Sequence, residues 1–211
     1  MADFLSKYSL ALFTLAGTIL GALASFLTAS IMARKETRLK LREKILDRRI
    51  QAHEKVVEFA HTMRAMIPLG GFDKQGEISR SPAVLVSKKE FDEWFNYFYL
   101  TLNTTSIWLG TKLIHELNLF QDYLVNLNEF LSEAPSANYQ TVGQVIRLDF
   151  IHFSTSIEKL AFDFFVNDLE KIQVNRLPSW HKYPINETKN RLQETDLFKR
   201  KNELLELIKS T

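Results

Sequence analysis

The longest apolar run in the chain extends from Ser9 to Met32, 24 residues without one charged side chain. As a helix it would extend about 36 Å, enough for a hydrocarbon core of about 30 Å. No Gly or Pro follows between Leu23 and Ile67. The same helix is therefore expected to continue past the apolar run, first through very polar turns and then with Leu39, Leu46, Ile50, His53, Val57, Ala60 and Ile67 as an apolar stripe at helical spacing. Pro68, Gly70 and Gly71 stop it, and residues up to Val86 read as a loop, long enough to be either functional or disordered.

Ser87-Lys88-Lys89-Glu90 is a capping box, which starts a new helix. Phe91, Phe95, Phe98 and Leu102 form its apolar face. An irregularity is expected around Asn103 to Ser106, after which Leu109, Leu113, Leu117, Phe120 and Leu124 carry the pattern to Leu131. Beyond Pro135 and Ser136 a helix over about 139–174 buries Val142, Ile146, Phe150, Phe153, Ile157, Leu160 and Phe164. Ile151, Phe162 and Phe165 lie on its other face, so this helix is either central in a bundle or at a contact with another subunit. Pro178 and Pro184 bracket a loop with Trp180 and His181, and a charged last helix from about Asn186 to Lys209 has a thin apolar edge in Leu197, Leu204 and Ile208.

The expected fold is all-α. An outward-facing stretch (1–8) precedes a transmembrane helix (9–32), then come a basic and amphipathic connecting helix (33–67) and a cytoplasmic bundle of about four helices (87–211). Composition agrees, since 16 Phe, 3 Trp and 6 Tyr supply a core while 7 Gly and 5 Pro leave little turn material. The absence of Cys removes disulfides and thiolate chemistry and fits a reducing compartment.

Charge settles the expected orientation. Residues 34–49 hold eight basic side chains against Glu36, Glu43 and Asp47, a net of +5, although the whole chain carries only +2. Lys and Arg close to a membrane helix stay on the cytoplasmic side, which puts the C-terminal domain inside the cell (inner) membrane. Arg34, Lys35, Arg38, Lys40, Arg42 and Lys44 either rest on anionic headgroups or serve as a topology signal alone. A cleaved signal peptide is the rival reading, with Lys7 as its basic start and Ala22-Leu23-Ala24 as a small-x-small site. Two features oppose it: the apolar run continues through Phe26, Leu27, Ile31 and Met32, and the basic block behind it resists translocation.

At 100° per residue, Thr14, Gly17, Thr18, Gly21, Ser25 and Thr28 share one side of the apolar helix, while Leu12, Leu15, Ile19, Leu23 and Phe26 lie opposite. Lipid provides no hydrophobic drive between helices, so association there relies on close backbone approach at small residues. Gly17-x-x-x-Gly21 with Ser25 is such a pattern and points to a homo-oligomer; the alternative is the ordinary scatter of small residues in membrane helices. Hydroxyls on that side could bond across helices or line a narrow pore.

The chain has no Gly-rich phosphate loop, metal-spaced His pair or nucleophile elbow, so no cofactor or metal is expected and a metabolic enzyme is not indicated. Arg followed by His after four residues occurs at Arg48…His53, Arg147…His152 and Arg176…His181. With eleven Arg and five His, chance matches are expected. The first lies in the apolar stripe and the third spans Pro178, which leaves Arg147 and His152 as the candidate catalytic pair. They stand 140° apart on the wheel, while Asp149, His152 and Ser156 share one flank.

An N-terminal membrane helix, a helical cytoplasmic bundle and a late Arg-x4-His resemble the HEPN-like membrane accessory proteins of type VI-B CRISPR systems. That resemblance implies an oligomeric pore acting in antiviral defence through loss of membrane integrity. It also implies an Arg and a His near a dimer seam that can act on RNA, His moving a proton and Arg steadying phosphate charge. Position 148, polar in that group, is Leu here. Three functions are thus expected in competition: an oligomeric membrane effector, a membrane-tethered scaffold recruiting a cytoplasmic protein, and a tethered ribonuclease.

Overall fold

In the computed structural model the first helix, α1, runs unbroken over Ala2–Met63. The structure describes residues 2–72, 76–132, 134–135, 138–169 and 181–209. The chain divides into two compact units, Met1–Asp47 and Arg48–Thr211, and α1 contributes to both.

In the first unit, every described side chain from Ala11 to Lys44 is exposed apart from the half-covered Ser30. Phe13 is 79% accessible, and Leu20, Phe26, Ile31 and Met32 are open to similar extents. Among the described residues this is the one helix long and apolar enough to cross a membrane.

The second unit is a helical domain with one small sheet. α2 (Lys88–Thr105) begins at the expected capping box, where the Ser87 hydroxyl accepts from the Glu90 N–H at 3.2 Å. A 3-10 turn at Ser106–Trp108 is the expected irregularity, and α3 (Thr111–Ser132) follows. α4 covers Tyr139–Asp163 and ends in a π turn at Phe164–Asp168. Pro178, Trp180 and most of the predicted loop lie outside the described residues.

The core is built on rings. Phe59 of α1 stacks on Trp94 of α2 at 5.2 Å and lies 5.0 Å from Phe98, while Phe120 of α3 is 5.0 Å from Phe153 of α4. Each such side chain contributes about 1.5–3 kcal/mol when fully buried. α1 is also clasped to α4: Ser154 Oγ donates to the Ala60 carbonyl at 2.7 Å, and Arg64 pairs with Glu158.

Four expectations are corrected. The buried face of α1 is Ala52, His53, Val56, Phe59, Ala60 and Met63, rotated from the expected stripe so that Leu39 is exposed and Val57 only partly covered. The helix stops at Met63, before Ile67, because the residue preceding Pro68 is pushed to extended backbone. Residues 66–82 are a hairpin: β1 (Met66–Phe72) pairs antiparallel with β2 (Ile78–Pro82), Met66 opposite Pro82 and Phe72 opposite Ile78, and the register slips between Pro68 and Phe72. Gly70 and Gly71 within that slip, and Gly76 in the connection before β2, take positive φ, where an L side chain would be strained. Finally, the last helix is three short ones, α5 (Ile185–Gln193), α6 (Asp196–Lys199) and α7 (Lys201–Lys209).

The hairpin is seated by a close approach. A Cβ on Gly143 of α4 would lie 2.1 Å from Ser81 Oγ and 3.2 Å from Leu85, so only glycine admits β2 at this spacing. Gly143→Ala should therefore lose about 1–3 kcal/mol by overpacking, in spite of alanine's better helix propensity. Thermal melts check this: Ser81→Ala in the same chain should recover part of the loss, and an unchanged midpoint in Gly143→Ala would refute the close seat.

Candidate functional site

The two members of the late Arg-x4-His motif point to different parts of the domain. Arg147 is mostly covered and pairs with Glu77 beside the hairpin at 3.7 Å. His152 is exposed and lines a cavity of about 380 Å³ between α3, α4 and the C-terminal helices, a cavity that Arg147 does not line. Within one chain they are not brought together for joint acid–base and phosphate chemistry. His53, from the first match, packs as its apolar register implies: its ring stacks on Phe164 at 3.8 Å and its Nδ1 bonds the Arg49 carbonyl at 2.7 Å. His181 is exposed, and its partner in the third match lies outside the described residues.

Asp149, His152 and Ser156 do converge, along the α4 wall of that cavity. Asp149 is buried and works as a fastener. Its carboxylate accepts from the backbone N–H groups of Asp196 and Leu197 at 2.7 and 3.0 Å and from the Tyr123 hydroxyl at 3.1 Å. It thus caps α6 from another element, satisfying two of the helix's orphan donors.

On the α3 side Glu116, 1% accessible, receives both guanidinium arms of Arg191 at 2.7 and 2.8 Å and the Tyr183 hydroxyl at 3.1 Å. The Arg191 guanidinium also sits 4.9 Å from the Tyr183 ring centroid. Burial alone would lower the Arg191 pKa, but the Glu116 hydrogen bonds and charge outweigh it and the net shift is upward. This cluster escaped the sequence reading. Its only trace there was an acidic residue at an otherwise apolar helical position beside Leu113, Leu117 and Phe120, with its partners some 70 residues away.

In the first unit the small side of α1 is open, since nothing stands within 4 Å of a Cβ built on Gly17 or Gly21. The Thr18 and Thr28 hydroxyls donate to the carbonyls of Thr14 and Ala24 at 2.7 and 2.8 Å. These two protons are therefore engaged within the helix. Ser25 lies on the same exposed side. Arg34, Lys35, Arg38, Lys40, Arg42 and Lys44 are all exposed, with Lys40 paired to Glu36 at 2.7 Å. Arg49, counted in the basic block, is instead buried with its guanidinium 4.6 Å from the Phe164 ring centroid.

No protein-family model, no curated protein and no solved structure matches this chain.

Burial raises the pKa of Asp149, against the lowering pull of its two backbone donors, and raises that of Tyr123 well above the phenol range, helped by the Asp149 charge. Folded-state values above the unfolded ones mean that both groups contribute stability while protonated and lose it as pH rises. For Tyr123 the loss begins where free phenols ionise, near pH 10. Tyr123→Phe should cost about 1 kcal/mol at neutral pH for the lost hydrogen bond. Over the alkaline limb its melting temperature should then fall less steeply than that of the natural chain, and parallel limbs would count against this account.

Proposed function

We propose that this chain is a single-pass membrane protein that works as a homo-oligomer, an effector on the bilayer that holds it, with its C-terminal helical domain in the cytoplasm. The observation that carries the reading is the uniform exposure of the apolar side chains from Phe13 to Met32. A protein in water does not leave so large a contiguous apolar surface uncovered. In lipid the same surface is favourable, at about −0.3 to −0.6 kcal/mol for each Leu, Ile, Phe or Val near the centre, with no charged residue to oppose it.

Orientation rests on the exposed basic block that follows. Self-association rests on the open Gly17 and Gly21 side: with the Thr18 and Thr28 protons already used, close backbone approach would hold facing helices, leaving Ser25 to donate across them. Action in antiviral defence by loss of membrane integrity follows from the HEPN-like resemblance and belongs to this proposal.

A second reading, a tethered scaffold for a cytoplasmic protein, is favoured by one observation. Val166 is 80% accessible and Phe162 half exposed at the end of α4, an apolar corner that a partner would cover. Nothing in the placement of Arg147 and His152 favours the ribonuclease.

A reporter fused after Thr211 should behave as cytoplasmic, and the protein in membranes should retain residues before Leu27. Release of a shortened chain beginning near Ser25 would overturn the anchor. Gly21→Leu should reduce cross-linked oligomer in membranes more than Leu23→Ala does, because an isobutyl group at Gly21 separates facing backbones whereas Leu23 lies on the opposite side. It should also abolish any change in membrane potential that the protein causes, a loss a monomeric tether would not show. Equal oligomer yields from the two variants would remove the homo-oligomer from the reading.

A further inference from the structure

We infer that the uncharged outer face of α2 from Asn96 to Thr104 is a contact surface for a second copy of this chain, separate from the small side of α1. From Trp94 to Thr111 the sequence has no charged residue, in a chain that is otherwise one quarter Asp, Glu, Lys and Arg. Within α2 every exposed residue after Glu93 belongs to this stretch: Asn96, Tyr97, Tyr99, Leu100, Asn103 and Thr104. Leu100 is 61% accessible and Tyr99 about half so. Other exposed helix surfaces of the domain, such as Glu187 and Lys189 on α5, carry charge.

Two physical arguments select the occupant. The first is charge. When identical patches meet, any charged residue near the symmetry axis faces its own sign, so a self-complementary patch must avoid charge there, and Tyr enrichment with depletion of Lys, Glu and Asp is how contact cores differ from ordinary surface. Asn96 and Asn103 amides each donate and accept, which lets like pair with like. An anionic membrane surface would instead select Lys and Arg, and from Trp94 to Thr105 this face has neither.

The second is area. The uncharged part of α2 covers residues 94–105, so its face is roughly 18 Å long and 10 Å wide, well under the about 800 Å² per partner of a stable contact between free proteins. A freely diffusing partner would bind such a face weakly. A copy anchored in the same bilayer is already concentrated and needs less area. The inference rests on the anchored reading in this respect.

The chain contains no cysteine, so single-cysteine variants of the full chain in lipid vesicles report the contact directly. Leu100→Cys should give disulfide-linked dimer in about tenfold higher yield than Lys189→Cys on exposed α5, as local pairing rather than collision requires. Leu100→Glu should lower the yield from Asn103→Cys while leaving helicity by circular dichroism unchanged. The preference should persist, at reduced yield, in chains that also carry Gly21→Leu. Equal yields at Leu100→Cys and Lys189→Cys from a chain that floats with the vesicles would overturn the α2 contact alone. So would quenching of a fluorophore at position 100 by brominated lipid, which would place the face on the bilayer. A full chain that fails to float would overturn the anchored reading and this inference together.

Discussion

Phe59 holds the second unit together. It belongs to α1, yet its ring lies against Trp94 and Phe98 of α2 and within ring contact of Phe120 of α3, so one side chain ties three helices before any loop contributes. The backbone beside it is secured by polar bonds that only this packing makes possible. Thr62 donates to the Phe59 carbonyl and accepts from the Trp94 indole, and Ser154 of α4 donates to Ala60. Removing the ring would cost the burial of an aromatic side chain, about 3–5 kcal/mol, and would also loosen the geometry these bonds need.

The C-terminal part of the domain depends on a different force. α5, α6 and α7 are too short to be stable by propensity alone, since nucleating a helix is costly and isolated short helices are marginal in water. α5 and α6 are held by two buried carboxylates of the longer helices. Glu116 of α3 grips α5 through Arg191, and Asp149 of α4 caps α6. Charges buried this way are expensive unless fully bonded, and among the described residues no buried side-chain nitrogen or oxygen lacks a partner. The cavity lined by His152 lies among these fasteners, and the Asp149 carboxylate that shares its flank of α4 is already occupied in structure.

Within α1 the same backbone serves two chemically distinct stretches. From Ala52 to Met63 it alternates buried and exposed positions with helical period, as a helix packed on one side does. From Phe13 to Met32 it is uncharged, rich in large apolar side chains and almost wholly exposed, the surface on which the membrane proposal rests. The basic, exposed turns between them carry the charge that the first stretch lacks.

The sequence by itself determined the long first helix, its uncharged segment, the capping box at Ser87, the break after Thr105 and the ring-bearing faces of α2, α3 and α4. These are local quantities: side-chain polarity, propensity and spacing act over a few turns, and no distant residue is needed to express them. The tertiary structure alone decided the hairpin, where a slipped register, three positive-φ glycines and the missing Cβ of Gly143 replace any alternating pattern. It alone decided that Arg147 turns to Glu77 while His152 faces another cavity, and that the last helix breaks where Asp149 takes its N–H groups. Each contact that seats the hairpin on Gly143, pairs Arg147 or caps α6 joins residues dozens of positions apart. Its energy exists only after the core around Phe59 has brought the helices together, and no local pattern in the chain records it.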